Sequence, residues 1–436
     1  MEKLNLFPIT TSINKSGHLD IGGCDCLELI KEFGSPLYIF DEDTLRAQCR
    51  SFSDEFTHRY KDSLAIYASK AFSNKAVINI IKDEGLGLDV VSGGELAVAE
   101  SVSFPPDRIF FHGNNKTEAE LQYALKYGVG YIVVDNFLEL EMLNKLASNK
   151  KIKQKIMLRL SPGIDAHTHK KTTTGILDSK FGFAMETGQA EDAVKQAISS
   201  SNLELVGLHC HLGSPIYETS PYKLGIDLII DFAARMKQKY DFQLQYFSPG
   251  GGFAVQYTTD KPAPAPGEYA EDITTALVEA AAKYGISQPW LTIEPGRAIV
   301  ARAGVTLYTI GSRKEIPNIR TYVFVDGGMG DNIRPSFYQS QYEAILADNP
   351  GAAEDSVNTI AGKYCESGDI LITDAHIARL TQGNIIAVAA TGAYAPAMAS
   401  NYNMIPRPAI VMVNNGRARI IRRRESYEDL IRLDNI

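Results

Sequence analysis

Leu64-Ala-Ile-Tyr-Ala-Ser-Lys70 is a short apolar run that stops at a lysine, and the way it recurs decides the fold. Runs of the same kind lie at 87–91, 108–112, 131–134, 155–160, 205–210, 244–248 and 290–294, with helical stretches between them. Thr117-Glu-Ala-Glu120 is a capping box, in which the Thr hydroxyl and the Glu carboxylate serve free N–H groups of a first helical turn. Leu121, Ala124 and Leu125 then share one face, and Gly128 ends the helix. Asn136 opens the next helix ahead of Leu138, Met142 and Leu146. Regular βα alternation predicts a parallel sheet. Eight such units suit an α/β fold of the closed (β/α)8 TIM-barrel type, which typically takes about 250 residues. An open, doubly wound sheet would gather its chemistry at one switch point. Here nearly every strand ends in reactive or polar residues, which favours the barrel.

The bulk properties narrow the class. The chain has 436 residues, 44% hydrophobic and 22% charged, so a globular protein of two domains is expected. A formal net charge of −8 gives no footing for nucleic acid. Lys150-Lys151 and Arg422-Arg423-Arg424 read as solvated ends of elements. The first eight residues carry neither a long apolar core nor a small-residue cleavage site, so neither a signal peptide nor a membrane span is expected. The five cysteines, Cys24, Cys26, Cys49, Cys210 and Cys365, are sparse and odd in number. They indicate a reducing compartment, and a cytoplasmic location is the expectation. Cys24-x-Cys26 lacks a second ligand pair at zinc-like spacing.

After Arg302 the pattern turns β-rich, with runs at 305–310, 320–325, 369–372, 385–389 and 409–413. Met412-Val-Asn-Asn-Gly-Arg-Ala-Arg419 reads as a hairpin with an Asn-Gly turn. Pro36-Leu-Tyr-Ile-Phe40 is a strand left over ahead of the barrel, and it is expected to join this second sheet. The expected division is a barrel over 41–301 that binds a cofactor, and a discontinuous all-β domain over 1–40 and 302–436 that completes the active site.

The chemistry is read from the strand ends. Lys70 inside a barrel mouth, with its pKa lowered by apolar neighbours and other cations, could form a Schiff base; on its own it is equally a solvent-facing lysine. Gly250-Gly251-Gly252 follows the seventh strand and lets backbone N–H groups approach a phosphate without interference from a Cβ. Gly296 and Arg297 follow the eighth, and barrels often place a phosphate at those two strands. Glu294 ends an apolar strand, so its carboxylate needs a partner: either Arg297 or a protonated ring nitrogen of a ligand. Pyridoxal phosphate carries an aldehyde, a phosphate and a pyridine, and this rim complements each. His209-x-His211 lies on the sixth strand, the wrong place for the His-x-His of a metal-dependent barrel hydrolase, so no metal is expected. One of the two histidines can instead stack on a ring. His167 and His169 read as loop residues. In the β-rich part, the acidic and glycine neighbours of Cys365 favour an exposed loop where a thiol can pass a proton.

Taken together, these residues resemble the alanine-racemase-like (fold type III) class of pyridoxal-phosphate decarboxylases. The likeness runs through Tyr67-Ala-Ser-Lys70, Val90-Val-Ser-Gly-Gly-Glu95, His167-Thr-His169 with Ser179-Lys-Phe-Gly182, and His209-Cys-His-Leu-Gly-Ser214. It continues through the glycines, Glu294-Pro-Gly-Arg297, Arg334-Pro335, Cys365-Glu-Ser-Gly-Asp369 and Met398-Ala-Ser-Asn-Tyr-Asn403. The resemblance implies that Lys70 carries pyridoxal 5'-phosphate covalently, that His211 stacks on its ring and that Glu294 holds the ring nitrogen. It assigns Ser214, Gly252, Gly296 and Arg297 to the phosphate region and Tyr394 to the cofactor and substrate. Arg297, Arg334, Tyr338 and Glu366 would bind the far end of the substrate, and Cys365 would donate a proton. It further implies a homodimer with shared active sites, Cys365 and Glu366 reaching the site from a partner subunit.

Within the class the residues are most similar to those of members that convert meso-diaminopimelate to L-lysine and CO2. Arg334 suits a distal carboxylate and would repel a distal cation, which weighs against a basic D-amino acid, ornithine, arginine or carboxynorspermidine as substrate. Pro215, Ser248-Pro249, Tyr364 and Ala395-Pro396-Ala397 depart from the class pattern, the last two near the substrate. A metal-dependent hydrolase and a non-catalytic regulatory relative are the competing readings. Retention of Lys70, Glu294 and Cys365 speaks against the second.

Overall fold

A computed structural model describes residues 2–164 and 178–436, and its residues group into two compact units. His167 and His169 lie outside the described residues. One unit comprises Cys49–Ala254 and Pro264–Gly296; the other comprises Met1–Gln48, Val255–Ala263 and Arg297–Ile436.

The first unit is a closed parallel barrel. Its strands are β1 (Ser63–Ala68), β2 (Gly87–Val90), β3 (Ile109–Phe111), β4 (Tyr131–Val134), β5 (Gln154–Ser161), β6 (Leu203–His209), β7 (Tyr246–Ser248) and β8 (Trp290–Ile293). Each pairs in parallel with the next, β8 returns to β1 with Leu291 opposite Ser63, and no edge is left open. The observed strands agree with the sequence reading to within a few residues at each end. Alternation along the strands turns Ile66, Phe110, Tyr131, Val133, Met157 and Val206 into one buried cluster, as a filled barrel interior requires. The helix Glu118–Tyr127 begins with the expected capping box at Thr117 and ends at Gly128 in the left-handed region.

The second unit is built on a sheet. The long strand Gly304–Ile316 pairs antiparallel with Leu37–Asp41, Arg320–Val325 and Ile385–Val388. Leu37–Asp41 also runs parallel to Ala409–Asn414, so the leftover strand does join this sheet. Ala409–Asn414 turns back into Arg417–Arg422 through Asn415 and Gly416, whose φ values of 48° and 72° are what a two-residue hairpin turn needs. Leu37, Ile39, Val305, Leu307, Ala387 and Val411 fill its core. The strand Ser356–Ala361, parallel to Arg320–Val325, escaped the sequence reading because Asn358 and Thr359 break its apolar run. No helix among the described residues is long and apolar enough to cross a membrane.

Candidate active site

The barrel unit concentrates ionisable groups at the C-terminal ends of its strands. Glu294, one residue beyond β8, is 6% exposed. Its Oε1 accepts a 2.7 Å hydrogen bond from Ser248 Oγ at the end of β7. His209 Nε2, at the end of β6, lies 3.1 Å from Oε1 and 3.2 Å from Oε2. His112, directly after β3, stands 3.7 Å from the same carboxylate and packs edge-on against His209 at 4.9 Å between rings. Burial works to neutralise Glu294, but His209 and His112 outweigh it and hold the carboxyl well below the usual range. The result is an ionised carboxylate out of water with unused capacity for a cationic partner. The sequence left two partners open for it, an arginine or a ligand nitrogen; the side chains that meet it among the described residues are a serine and two histidines.

Lys70 sits in a single 3-10 turn, Ser69–Ala71, that follows β1. Its Nζ is 2.7 Å from Asp89 Oδ2 on β2. The sequence reading placed apolar and cationic neighbours around this amine; the structure adds a fully buried carboxylate. Asp89 Oδ1 and His112 Nε2 are buried without a hydrogen-bond partner, so polar capacity is left over beside the lysine.

The glycine turn after β7 is shaped by close approach. Gly250 and Gly252 have φ of 83° and 108°, and a Cβ on Gly251 would lie 2.2 Å from the Glu294 carbonyl oxygen. Tyr222 donates to the Gly251 carbonyl at 2.8 Å and holds the turn from below. Gly250 N–H donates to Ser248 Oγ, and Gly251 N–H donates to His211 Nδ1 at 3.1 Å. Two of the three N–H groups are therefore committed to the protein, and those of Gly252 and Gly296 enter no described hydrogen bond. By accepting from Gly251, His211 is held as a neutral ring in one orientation. Burial, with Arg159 and Lys70 nearby, pushes its pKa well down. Ser214 lies in the loop after β6, half-buried.

The barrel therefore offers an amine, an ionised carboxylate, a fixed neutral imidazole and uncommitted backbone donors. That donor set fits the aldehyde, ring nitrogen, ring face and phosphate of pyridoxal 5'-phosphate. Ligand atoms of His112, His209 and Glu294 also fall within 4.8 Å of one another, as a metal would need. A cation there and a protonated ring nitrogen would compete for the same carboxylate.

The remaining expected residues lie in the sheet unit. Arg297 Nη1 donates to Tyr257 Oη at 2.9 Å, and its guanidinium lies 4.9 Å from the Tyr394 ring. Arg334, 5% exposed, donates to the Tyr342 hydroxyl and lies 4.8 Å over the Tyr257 ring. Among the described residues no carboxylate lies within 4.0 Å of the Arg334 guanidinium. Among the described residues the partners of this buried cation are phenols, which leaves its charge available to an anion. Tyr338 ends the helix Arg334–Tyr338, edge-on to Phe337 at 4.7 Å.

Cys365 and Glu366 are exposed, on a loop that is nevertheless pinned. Tyr364 N–H donates to Asp369 Oδ2 and Cys365 N–H to Asn403 Oδ1, both at 2.8 Å. The other oxygen of Asp369 takes the Met329 N–H. The Tyr364 ring stacks on Tyr402 at 6.2 Å.

Sequence reasoning missed Asp89, His112, Ser248, Tyr257 and Tyr342. The first three carried a usable signal, since each lies within or directly after a barrel strand. Nothing in the spacing of the two tyrosines points to the arginines they meet.

Comparison with known proteins places these features. Residues 42–301 match the family model described as pyridoxal-dependent decarboxylase, pyridoxal binding domain. The chain is 47% identical over 425 residues to diaminopimelate decarboxylase of Bacillus subtilis (strain 168), covering 98% of this chain and 97% of that one. Among solved structures it is similar to diaminopimelate decarboxylase from M. jannaschii in co-complex with L-lysine, with a TM-score of 0.92, 32% identity and 98% of each chain covered. The Helicobacter pylori enzyme complexed with L-lysine gives 0.85 at 32% identity, covering 93% of this chain and 98% of that one.

Proposed function

The chain belongs to the diaminopimelate decarboxylase family of pyridoxal-dependent decarboxylases, and from that premise we propose how its residues convert meso-diaminopimelate to L-lysine and CO2. The observation that carries the reading is the pairing of chemistries: a strand-end lysine beside a buried, ionised Glu294, and a buried Arg334 with no carboxylate partner among the described residues.

When bound, pyridoxal 5'-phosphate supplies an electron-accepting ring that spreads the charge left behind as CO2 departs. Lys70 is the amine that carries it. Glu294 keeps a proton on the ring nitrogen, and Ser248 and His209 hold the carboxylate in place for that task. His211 offers the ring a flat neutral face. Ser214, Gly252, Gly296 and Arg297 hold the phosphate region. Tyr394 lies near cofactor and substrate.

At the substrate's far end Arg334, with Arg297, Tyr338 and Glu366, binds the amino-acid group that does not react. Diaminopimelate has a carboxylate at both ends, whereas ornithine, arginine and D-lysine present a cation to Arg334. Cys365 donates the proton to the carbon that has lost CO2. As a homodimer the protein shares its sites, Cys365 and Glu366 serving the partner subunit's Lys70. The reading places it in the cytoplasm, supported by a sparse and odd number of cysteines, five in 436 residues.

Borohydride reduction followed by peptide mapping tests the first half, and CO2 release from a panel of amino acids tests the second. A stable adduct on Lys70 and strong preference for meso-diaminopimelate are expected. An adduct on another residue, or faster release from ornithine or D-lysine, would overturn it.

A further inference from the structure

Tyr257 lies on a short segment, Val255–Ala263, that leaves the glycine turn and groups with the sheet unit. It is 8% exposed and touches both arginines. Its hydroxyl accepts from Arg297 Nη1 at 2.9 Å, while its ring lies 4.8 Å below the Arg334 guanidinium. Tyr342 meets the same ring edge-on at 5.3 Å and accepts from Arg334. Two residues along, Thr259 donates to Glu343 Oε1 through its N–H at 2.6 Å and its hydroxyl at 2.9 Å, so the segment is clamped beside Tyr342.

We propose that Tyr257 is a positioning residue that sets specificity for a substrate with a distal carboxylate, gripping Arg297 by its hydroxyl and Arg334 by its ring face. This rests on the reading of Arg334 as the distal carboxylate seat.

The physical argument has two parts. Two guanidiniums packed on one side chain repel each other, and a tyrosine can partly offset that repulsion at both of its polar surfaces, the oxygen and the π face. Burial would raise the Tyr257 phenol, but Arg297 and Arg334 outweigh it and draw the pKa down, because both cations favour negative charge on that oxygen. The remaining repulsion is relieved when an anion enters. A site built this way favours a substrate whose far end brings a carboxylate and disfavours one whose far end brings an ammonium group alone.

The test uses the cofactor-loaded enzyme and two product-side ligands. L-Lysine keeps the distal carboxylate after the other is lost, and cadaverine has none. Tyr257→Phe keeps the ring and removes the acceptor. KM for meso-diaminopimelate and the inhibition constant of L-lysine should each rise about tenfold, the scale of one hydrogen bond to a charged group. Cadaverine inhibition should be unchanged, and kcat should move less than about threefold. Tyr257→Leu, which also removes the ring, should raise both constants further; if it fails to fold, Tyr257→Phe decides alone. Unchanged lysine binding, or equal weakening of lysine and cadaverine, would overturn the proposal. Arg334→Gln separates it from the reading beneath it. If that variant also leaves lysine binding unchanged, the distal seat itself is misplaced; if it weakens lysine while Tyr257→Phe does not, only the role of Tyr257 falls.

Discussion

His112 and Glu294 show how a few ångströms set protonation at the residue scale. Burial pushes His112 down to about 4, so the folded protein holds it neutral. An unfolded histidine titrates near 6.5, so the unfolded state takes up a proton first as pH falls. Stability from this group is complete above about pH 6.5 and is lost by ~1.4 kcal/mol per pH unit down to about pH 4. Asp331 works in the opposite sense: burial pushes it up to about 7, so stability falls as pH rises from about 4 toward 7. The two slopes offset each other in the native protein, and a single-site variant separates them. His112→Gln should leave stability falling more steeply with rising pH between pH 5 and 6.5 than in the native protein, by one proton's worth in urea titrations. A parallel curve would mean that His112 is not held neutral. Cys365→Ser is the second prediction at this scale. A positioned proton donor contributes ~10²–10⁴-fold, so turnover should drop at least ~100-fold while cofactor retention persists. Near-normal turnover would remove Cys365 from the reaction.

Among elements, the turn after β7 carries the most constraint. Its glycines serve close packing of backbone on backbone as much as they expose donors. Gly251→Ala would force a Cβ against the Glu294 carbonyl at 2.2 Å, and neither backbone can retreat. Overpacking of this kind costs roughly 1–3 kcal/mol. The variant should lose about that much stability by denaturant titration and should release its cofactor more readily on dialysis. Unchanged stability and retention would show that the turn has slack. The helix starts and the barrel strands were legible in the sequence because caps and apolar runs are local signals. The strand Ser356–Ala361 was not, since its polar residues Asn358 and Thr359 are buried by partners distant in sequence.

For the whole molecule, the proposed shared-site homodimer makes its own prediction. Lys70→Ala and Cys365→Ser are each expected to be inactive. Unfolded together and refolded as a mixture, they should recover about a quarter of native activity, since random pairing gives half heterodimers with one intact site each. No recovery, with mixed dimers demonstrated, would mean that each subunit holds a complete site. Lys70, Glu294, the glycine turn and Cys365 could be singled out from sequence because a strand end or a loop motif is written in consecutive residues. Which residues they pair with could not. Asp89 beside Lys70, His209 and Ser248 on Glu294, and Tyr257 under two arginines are separated by 19 to 85 positions along the chain. The order of strands, the candidate lysine at a strand end and the family were thus determined by the linear chain, through local propensity and motif. Which groups are charged, which face a carboxylate and which tyrosine grips the arginines was decided by tertiary structure alone, because burial and electrostatic neighbours exist only once distant segments have packed together.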